Sequence, residues 1–441
     1  MPVAQHVDVE SGLSDAATPF QVVPLTEIIS RARLTHVGTR GLAPRRWWSP
    51  QEGLAGPTRR VADVLRANGP QTRSELAHLT HLSRVTVLNA LAELDAHGLL
   101  RKEVVARQTP SARGRSAEAV GLSRRAGLVA GIEIGRQRVC VVAQEIGSDE
   151  HRVGKQRLGD PNADPQHAFD VAARLLEDAL AALGGDRRSL VCACVGISAP
   201  VTFDEQIGSQ ILGEKWNRDH PIEALRQWLD CPVLLDNDAN LGALAEYTIG
   251  VIGQSRRGGA HVRCMLYVKA ATGIGGGIII NGEVFRGASG TAGEIGHITL
   301  DPNGDPCRCG NRGCVELIAG GGELLRLAQK AHPTMKDLSE LVKLANAKDS
   351  VCRRLIADAG RQIGTALGAV VGLYNPDAIV IGGTLAEAGE LLVEKIRSAL
   401  EDAVMPAALG AVREIVKGTL GIEASARGGV MRLRRTADLP L

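Results

Sequence analysis

Residues 290–316 read GTAGEIGHITLDPNGDPCRCGNRGCVE, and they gather His297, Cys307, Cys309 and Cys314 into one short stretch. Three of the chain's nine cysteines fall between positions 307 and 314. Structural zinc is tetrahedral and bound by thiolates and imidazoles, so three cysteines alone are one donor short. The imidazole of His297 supplies the fourth, and the C-x-C-x4-C spacing with Gly310 and Gly313 lets a short loop wrap one ion. Four protein ligands leave no position for an activated water, so the expected zinc is structural. A satisfied histidine beside merely reactive thiols is the competing reading, and it leaves that spacing unaccounted for.

The same run places two carboxylates. Glu294 stands three residues before His297 and Glu316 two after Cys314, so metal ligation would pin them near one another. Carboxylates held this way accept hydrogen bonds from vicinal sugar hydroxyls; either one alone reads as surface charge. A third element, LLDNDANLGALAE at 234–246, puts Asp238 between a buried apolar strand and a helix. Asn237 and Asp238 are expected to point into a cleft, Asp236 and Asn240 to cap the helix.

Composition bounds the rest. The chain has 441 residues and is 44% apolar, enough for two or three domains with full cores. No run of eighteen apolar residues occurs, and the opening MPVAQHVDVE lacks the basic start and apolar stretch of a signal peptide. A cytoplasmic protein without membrane contact is expected. In a reducing compartment clustered cysteines read as metal ligands, and the scattered Cys140, Cys192, Cys194, Cys231, Cys264 and Cys352 as small core residues. The net charge is +2, but residues 1–125 carry 17 Lys+Arg against 11 Asp+Glu. A basic amino-terminal region on an acidic body raises the prior for a polyanion partner of the first part only.

Three regions follow from texture. Residues 1–56, rich in Gly, Pro and Arg towards their end, read as a flexible arm. Residues 57–125 read as a winged helix-turn-helix: TRRVADVLRAN ends at Gly69-Pro70, TRSELAHLT opens with a capping box of Thr72 and Glu75, and a third helix starts at Ser83 and stops at Gly98. Two alternating segments, RKEVVA and AEAVGL, flank the basic loop RQTPSARGRS in the manner of a wing. Residues 126–441 alternate apolar strands with helices expected over about 165–184, 240–250, 321–331, 350–373 and 385–402 and after Gly429, an α/β pattern in two lobes with ligands at the strand ends.

In such a head the third helix enters the major groove with its amino-terminal residues towards the bases. Ser83, Arg84, Thr86 and Asn89 are the candidates, Arg84 suited to guanine and Asn89 to adenine. Arg73 is expected at phosphate, Arg113 and Arg115 at phosphate or the minor groove. The bland alternative is a solvated helix face. One such head reads half a palindrome, so double-stranded operator DNA is expected to be met by a homodimer or tetramer formed through the large domain.

The segments LLDNDAN, ATGIGGGIIINGEVFRGASGTAGEIGH and CRCGNRGCVE together resemble the ROK family of bacterial sugar kinases and sugar-responsive repressors, over about residues 128–437. The helix-turn-helix is similar to that of the family's regulator branch. The resemblance implies an actin-like, hexokinase-like (ribonuclease H-like) domain, with sugar contacted at Asn237, Asp238, Glu294, His297 and Glu316. In kinase members the aspartate matching Asp238 takes the proton from the sugar hydroxyl. Kinases also carry Asp-x-Gly-Gly-Thr-Lys after the first strand, where this chain has EIGRQR at 133–138; the second phosphate turn is Ala271-Thr272-Gly273 where Gly-Thr-Gly is usual. VIGGTLAE, near the usual adenosine edge, is intact. Ser198 and Ala199 replace the usual Pro-Gly before a proline-valine pair.

Phosphoryl transfer depends mostly on positioning and charge compensation, so a bulky first turn argues against ATP and magnesium as working cofactors. The expectation is a sugar-responsive DNA-binding regulator, a repressor of carbohydrate metabolism, with one structural zinc. The alternatives are an ATP-dependent, glucokinase-like enzyme with a DNA-binding appendage, and a ligand-independent DNA-binding protein.

Overall fold

The computed structural model describes residues 56–105, 117–123, 126–146, 148–158, 165–207 and 221–435. The arm expected over 1–56, apart from Gly56, and Arg113 and Arg115 of the wing lie outside the described residues.

Three helices come first: α1 (Gly56–Asn68), α2 (Arg73–Thr80) and α3 (Arg84–Ala96). Thr72 caps α2 in the expected box, its hydroxyl accepting from Glu75 N while the Glu75 carboxylate accepts from Thr72 N at 2.7 Å. Ser83 caps α3 by accepting from Thr86 N at 3.1 Å. Strands β1 (Gln71–Thr72), β2 (Leu100–Val105) and β3 (Ala117–Leu122) form a sheet in the order β1-β3-β2, with β2 and β3 antiparallel. Val61, Leu65, Leu76, Val87, Leu91 and Leu94 fill the space between helices, and their cluster runs on into Val129, Cys140, Val142, Leu241 and Val430 of the following region.

That region holds two five-stranded sheets of the same design. In the first, β4 (Leu128–Ile134), β5 (Arg138–Glu145), β6 (His151–Arg157), β7 (Leu190–Ile197) and β8 (Val233–Asn237) run in the order β6-β5-β4-β7-β8. In the second, β9 (Cys264–Ala270), β10 (Ile274–Ile280), β11 (Glu283–Val284), β12 (Ala378–Gly382) and β13 (Glu414–Lys417) run in the order β11-β10-β9-β12-β13. Each first strand pairs antiparallel with the next and parallel with the fourth. Helix α4 (Pro165–Ala181) covers the first sheet with Phe169, Ala172 and Leu176. Helix α5 (Asp238–Thr248) follows β8 directly, and α6 (Val315–Ala319) follows the cysteine loop. Helices α7 (Ser350–Tyr374) and α8 (Glu390–Ala403) pack on each other and bury Ile356, Ile363, Leu367, Leu392 and Ile396 over the second sheet.

The final described helix, α9 (Ala424–Arg435), begins five residues ahead of Gly429. Gly428 and Gly429 are interior to it. A Cβ on Gly428 would stand 1.9 Å from the Leu241 carbonyl, so glycine here serves close approach of α9 to α5 rather than a helix boundary. The helix expected over 385–402 is likewise broken, into a 3-10 turn at Thr384–Ala388 and α8. Strand β6 has no apolar alternation in its sequence HRVGKQR because it lies at a sheet edge, half exposed. No helix among the described residues is long and apolar enough to cross a membrane.

Candidate functional site

The carboxyl ends of β4, β8 and β9 meet the turn 271–273, the 198–200 loop and the amino end of α9 around one cleft. Glu133, Asp238, Lys269, Glu294, His297 and Glu316 line it.

Asp238 is the first residue of α5 and is buried. Its Oδ2 accepts hydrogen bonds from Ser198 Oγ and, at 2.7 Å, from Lys269 Nζ; its backbone carbonyl accepts from Ser425 Oγ at 2.8 Å. Asn237 also lines the cleft, but its side chain works locally. Oδ1 accepts from Ala239 N at 2.8 Å and Asn240 N at 3.1 Å, and Nδ2 donates to the Ala199 carbonyl at 3.0 Å. Asn237 is therefore the cap of α5 and the anchor of the 198–200 loop. Asp236, expected to cap, instead is fully buried beneath them and bridged by Arg286 (Nη1 to Oδ1 2.7 Å, Nη2 to Oδ2 2.6 Å) and by Arg432 Nη1 at 2.7 Å. Burial raises the Asp236 carboxyl, but the two guanidiniums and the Asn237 amide outweigh it and hold the group below the usual carboxylate range.

Glu294 and Glu316 come together as expected. Burial, with the charges of Asp238 and Glu316 beside it, pushes the Glu294 carboxyl up to about 7. Glu316 sits on α6, where Oε2 accepts from Ile274 N at 3.1 Å and Oε1 meets Arg136 Nη1 at 3.4 Å. The turn that carries Arg136 is stitched to the second sheet at two further points: Thr272 Oγ1 donates to Gln137 Oε1 at 3.2 Å, and Arg138 Nη2 donates to Thr384 Oγ1 at 3.2 Å.

Lys269 is the main residue that sequence reading missed. Its ammonium donates to Glu133 Oε1, to Asp238 Oδ2 and, at 3.4 Å, to Ser425 Oγ, with all three ionic side chains largely withdrawn from solvent. Burial lowers the ammonium's pKa, but the two carboxylates more than compensate and hold it well above the ordinary lysine value. A lone charge in the apolar strand Met265-Leu266-Tyr267-Val268-Lys269-Ala270, immediately before a Gly-rich turn, was the available signal.

His297, Cys307, Cys309 and Cys314 converge so that one donor atom from each lies within 4.8 Å of all the others. His297 Nδ1 faces Cys307 Sγ at 3.6 Å, and Cys309 Sγ faces Cys314 Sγ at 3.6 Å. Donors on a tetrahedral zinc with bonds of about 2.3 Å stand about 3.8 Å apart, so the donor set fits such an ion. The loop is built for this closure: Gly313 has a φ of +55°, and a Cβ there would meet the Asp301 carbonyl at 1.8 Å. The scattered thiols of Cys140, Cys192, Cys194 and Cys352 are buried and Cys231 and Cys264 partly so; burial pushes all six up, to about 12 for Cys140.

The amino-terminal candidates stand apart from the cleft on α2 and α3. Arg73, Arg84 and Asn89 are exposed and Thr86 is half-buried. The exposed Ser83 shares its hydroxyl with Thr86 Oγ1 at 2.8 Å, which commits both to the start of the helix. Between them Val85 is 67% exposed and Leu88 45%, an apolar pair on the outward face that sequence reading passed over. At the far end of the chain, α9 reaches from Ser425 in the cleft to Arg434, which lies against α1.

The sequence profile of the ROK family matches residues 129–435. The chain is 26% identical over 348 residues to the xylose repressor of Caldicellulosiruptor bescii, covering 75% of this chain and 83% of that protein. It is 32% identical over 254 residues to the glucokinase of Halalkalibacterium halodurans, covering 53% of this chain and 74% of that one. Among solved structures, a ROK family transcriptional regulator described as a homologue of the Escherichia coli MLC protein superposes with a TM-score of 0.62 at 21% identity, over 86% of this chain and 95% of that one, and so shares its fold.

Proposed function

The chain belongs to the ROK family, and from that premise we propose that it is a sugar-responsive, DNA-binding transcription regulator, a repressor acting in the cytoplasm. The observation that carries this reading is the convergence of Asp238, Glu294 and Glu316 in a cleft braced by the His297 cluster, in a chain that also presents one exposed face of α3, with Arg84, Val85, Leu88 and Asn89 on it. The names of its relatives, a xylose repressor among them, support the same assignment.

In this reading a sugar's hydroxyls donate to the carboxylates of Asp238, Glu294 and Glu316. Asn237 holds the loop that closes one side of the pocket. His297 turns Nδ1 towards the thiols, leaving Nε2 to serve the sugar. Zinc held by His297, Cys307, Cys309 and Cys314 would supply rigidity to the loop, since four protein donors complete its shell. At the other end, residues 57–125 act as a winged helix-turn-helix. Arg84 and Asn89 read base edges, Val85 meets a thymine methyl, Arg73 holds phosphate, and Arg113 and Arg115 belong to the wing. Two such heads on a homodimer read a palindrome. Sugar favouring one lobe arrangement then shifts operator affinity by linkage.

A second reading, a sugar kinase with a DNA-binding appendage, is favoured by the position of Asp238 at a strand-to-helix junction in the cleft and by the glucokinase relative. Against it stand the side-chain stitches from Arg136, Gln137 and Arg138, which occupy the turn where phosphates would need bare backbone. Anisotropy titration of an operator selected from a random duplex pool, with and without a panel of hexoses, pentoses and N-acetylhexosamines, tests the proposal. A coupled ATP assay with the same panel tests the second reading. Sugar-dependent operator release without turnover is expected; turnover at ordinary kinase rates reverses the assignment.

A further inference from the structure

We infer that the Lys269 ammonium is a resident cation standing where a divalent metal would have to sit between Glu133 and Asp238, and that it makes the cleft a metal-independent receptor. The inference rests on the reading of the cleft as a sugar pocket and adds to it the reason that pocket does no phosphotransfer.

The geometry is that of a bridged ion. Glu133 comes from the end of β4 and Asp238 from the start of α5, both on the first sheet's side, while Lys269 reaches across from β9 of the second sheet. Nζ binds one oxygen of each carboxylate, and the Asp238 contact is 2.7 Å. Magnesium in phosphotransfer centres is held by one or two carboxylates plus substrate phosphates, at about 2.1 Å from each oxygen. An ion centred between these same two oxygens would therefore need the volume that Nζ fills, and would meet a like charge in a site largely withdrawn from water. Lysine suits the substitution because its ammonium is a compact point charge with three donors, and here all three find acceptors in Glu133, Asp238 and Ser425. The same contact ties up Asp238 Oδ2, which Ser198 also engages. A carboxylate oxygen so occupied is a fixed hydrogen-bond acceptor. Charge compensation that an enzyme would take from its metal is built into the chain.

The test is manganese binding to the full-length protein, read by the loss of the free-ion electron paramagnetic resonance signal, for wild type, Lys269→Ala, Lys269→Arg and Lys269→Ala/Asp238→Asn. Lys269→Ala should bind one additional Mn2+ about tenfold or more tightly than wild type, as expected when a like charge is removed from a poorly solvated site. Lys269→Arg and the double variant should not. If Lys269→Ala folds only when millimolar Mn2+ is present, that rescue is the same result. Equal Mn2+ binding by wild type, or a Lys269→Ala protein that neither gains the ion nor is rescued by it, overturns the inference. Thermal shift with the sugar panel is read separately: a chain that answers to no sugar sinks the proposed function and leaves the manganese result standing.

Discussion

Arg434 donates from Nε to the backbone carbonyl of Arg66 across 2.9 Å, tying α9 to α1. Its Nη1 also meets Asp149 at 3.3 Å. Nine residues earlier on the same helix, Ser425 donates to the Asp238 carbonyl in the cleft. Those residues span about 14 Å of unbroken helix, so α9 joins the cleft to α1 without an intervening loop.

Replacing Arg434 by methionine keeps the apolar stem and removes the donors. The variant should lose about 1–3 kcal/mol of stability from the unpaired carbonyl. Sugar affinity by calorimetry should stay near wild type, while the sugar-induced change in operator affinity falls towards none. Full retention of that change would show that α9 does not carry the coupling.

Cys309→Ser removes one of the four clustered donors. Bound metal, measured by mass spectrometry of the purified protein, should fall below one equivalent, and sugar affinity should fall with it because Glu294 and Glu316 flank the loop. An unweakened sugar complex in a metal-free variant would separate the two.

Asp236 sets a pH dependence. Its carboxyl is held below the ordinary value despite burial, so the unfolded chain binds the proton first as pH falls. The stabilisation is complete above an unfolded pKa of about 3.9 and is lost as pH drops from there through the lower folded value. Urea melts between neutral pH and about pH 3 should show a decline that Asp236→Asn lacks. At neutral pH that variant should cost about 3–5 kcal/mol, because Arg286 and Arg432 lose a buried counter-charge.

On α3, Arg84→Ala should weaken operator binding by about 1–3 kcal/mol and relax the sequence preference at one base pair. Val85→Ser should cost less and act at a thymine. Neither should alter sugar affinity. Uniform weakening across random duplexes would make Arg84 a phosphate contact instead.

Gly428→Ala should be among the most damaging single changes, by about 1–3 kcal/mol or more, since the added methyl collides with the Leu241 carbonyl. A melting temperature unchanged from wild type would show that α9 can move away from α5.

What could be read beforehand was local. The Thr72–Glu75 box, the Ser83 cap and the ligand spacing from His297 to Cys314 each lie within one short window, and each is found in the structure. The acidic residues of the cleft were legible because Glu294 and Glu316 are tethered to that window. Lys269 was not, since its meaning depends on Glu133, which is 136 residues away, and on Ser425, 156 residues away. The capping role that falls to Asn237 and not Asp236 has the same origin: Arg286, in the loop after β11, and Arg432, on α9, claim the Asp236 carboxylate from far along the chain. Gly429 looked like punctuation because a sequence shows the missing side chain and not the neighbours, Gly131 and Cys194, that crowd its place.

Glu133 and Lys269 occupy the same place in the two sheets, each the penultimate residue of its sheet's opening strand. The hairpin turns that follow them, one carrying Gln137 and the other Thr272, touch across the gap. Identical residues at these two matched positions would confront each other with identical charges. An acid on one sheet and a base on the other instead makes the two strand ends complementary to each other. The floor of the cleft is thereby fastened from both sheets at once, by charge at the strand ends and by the turns that follow them.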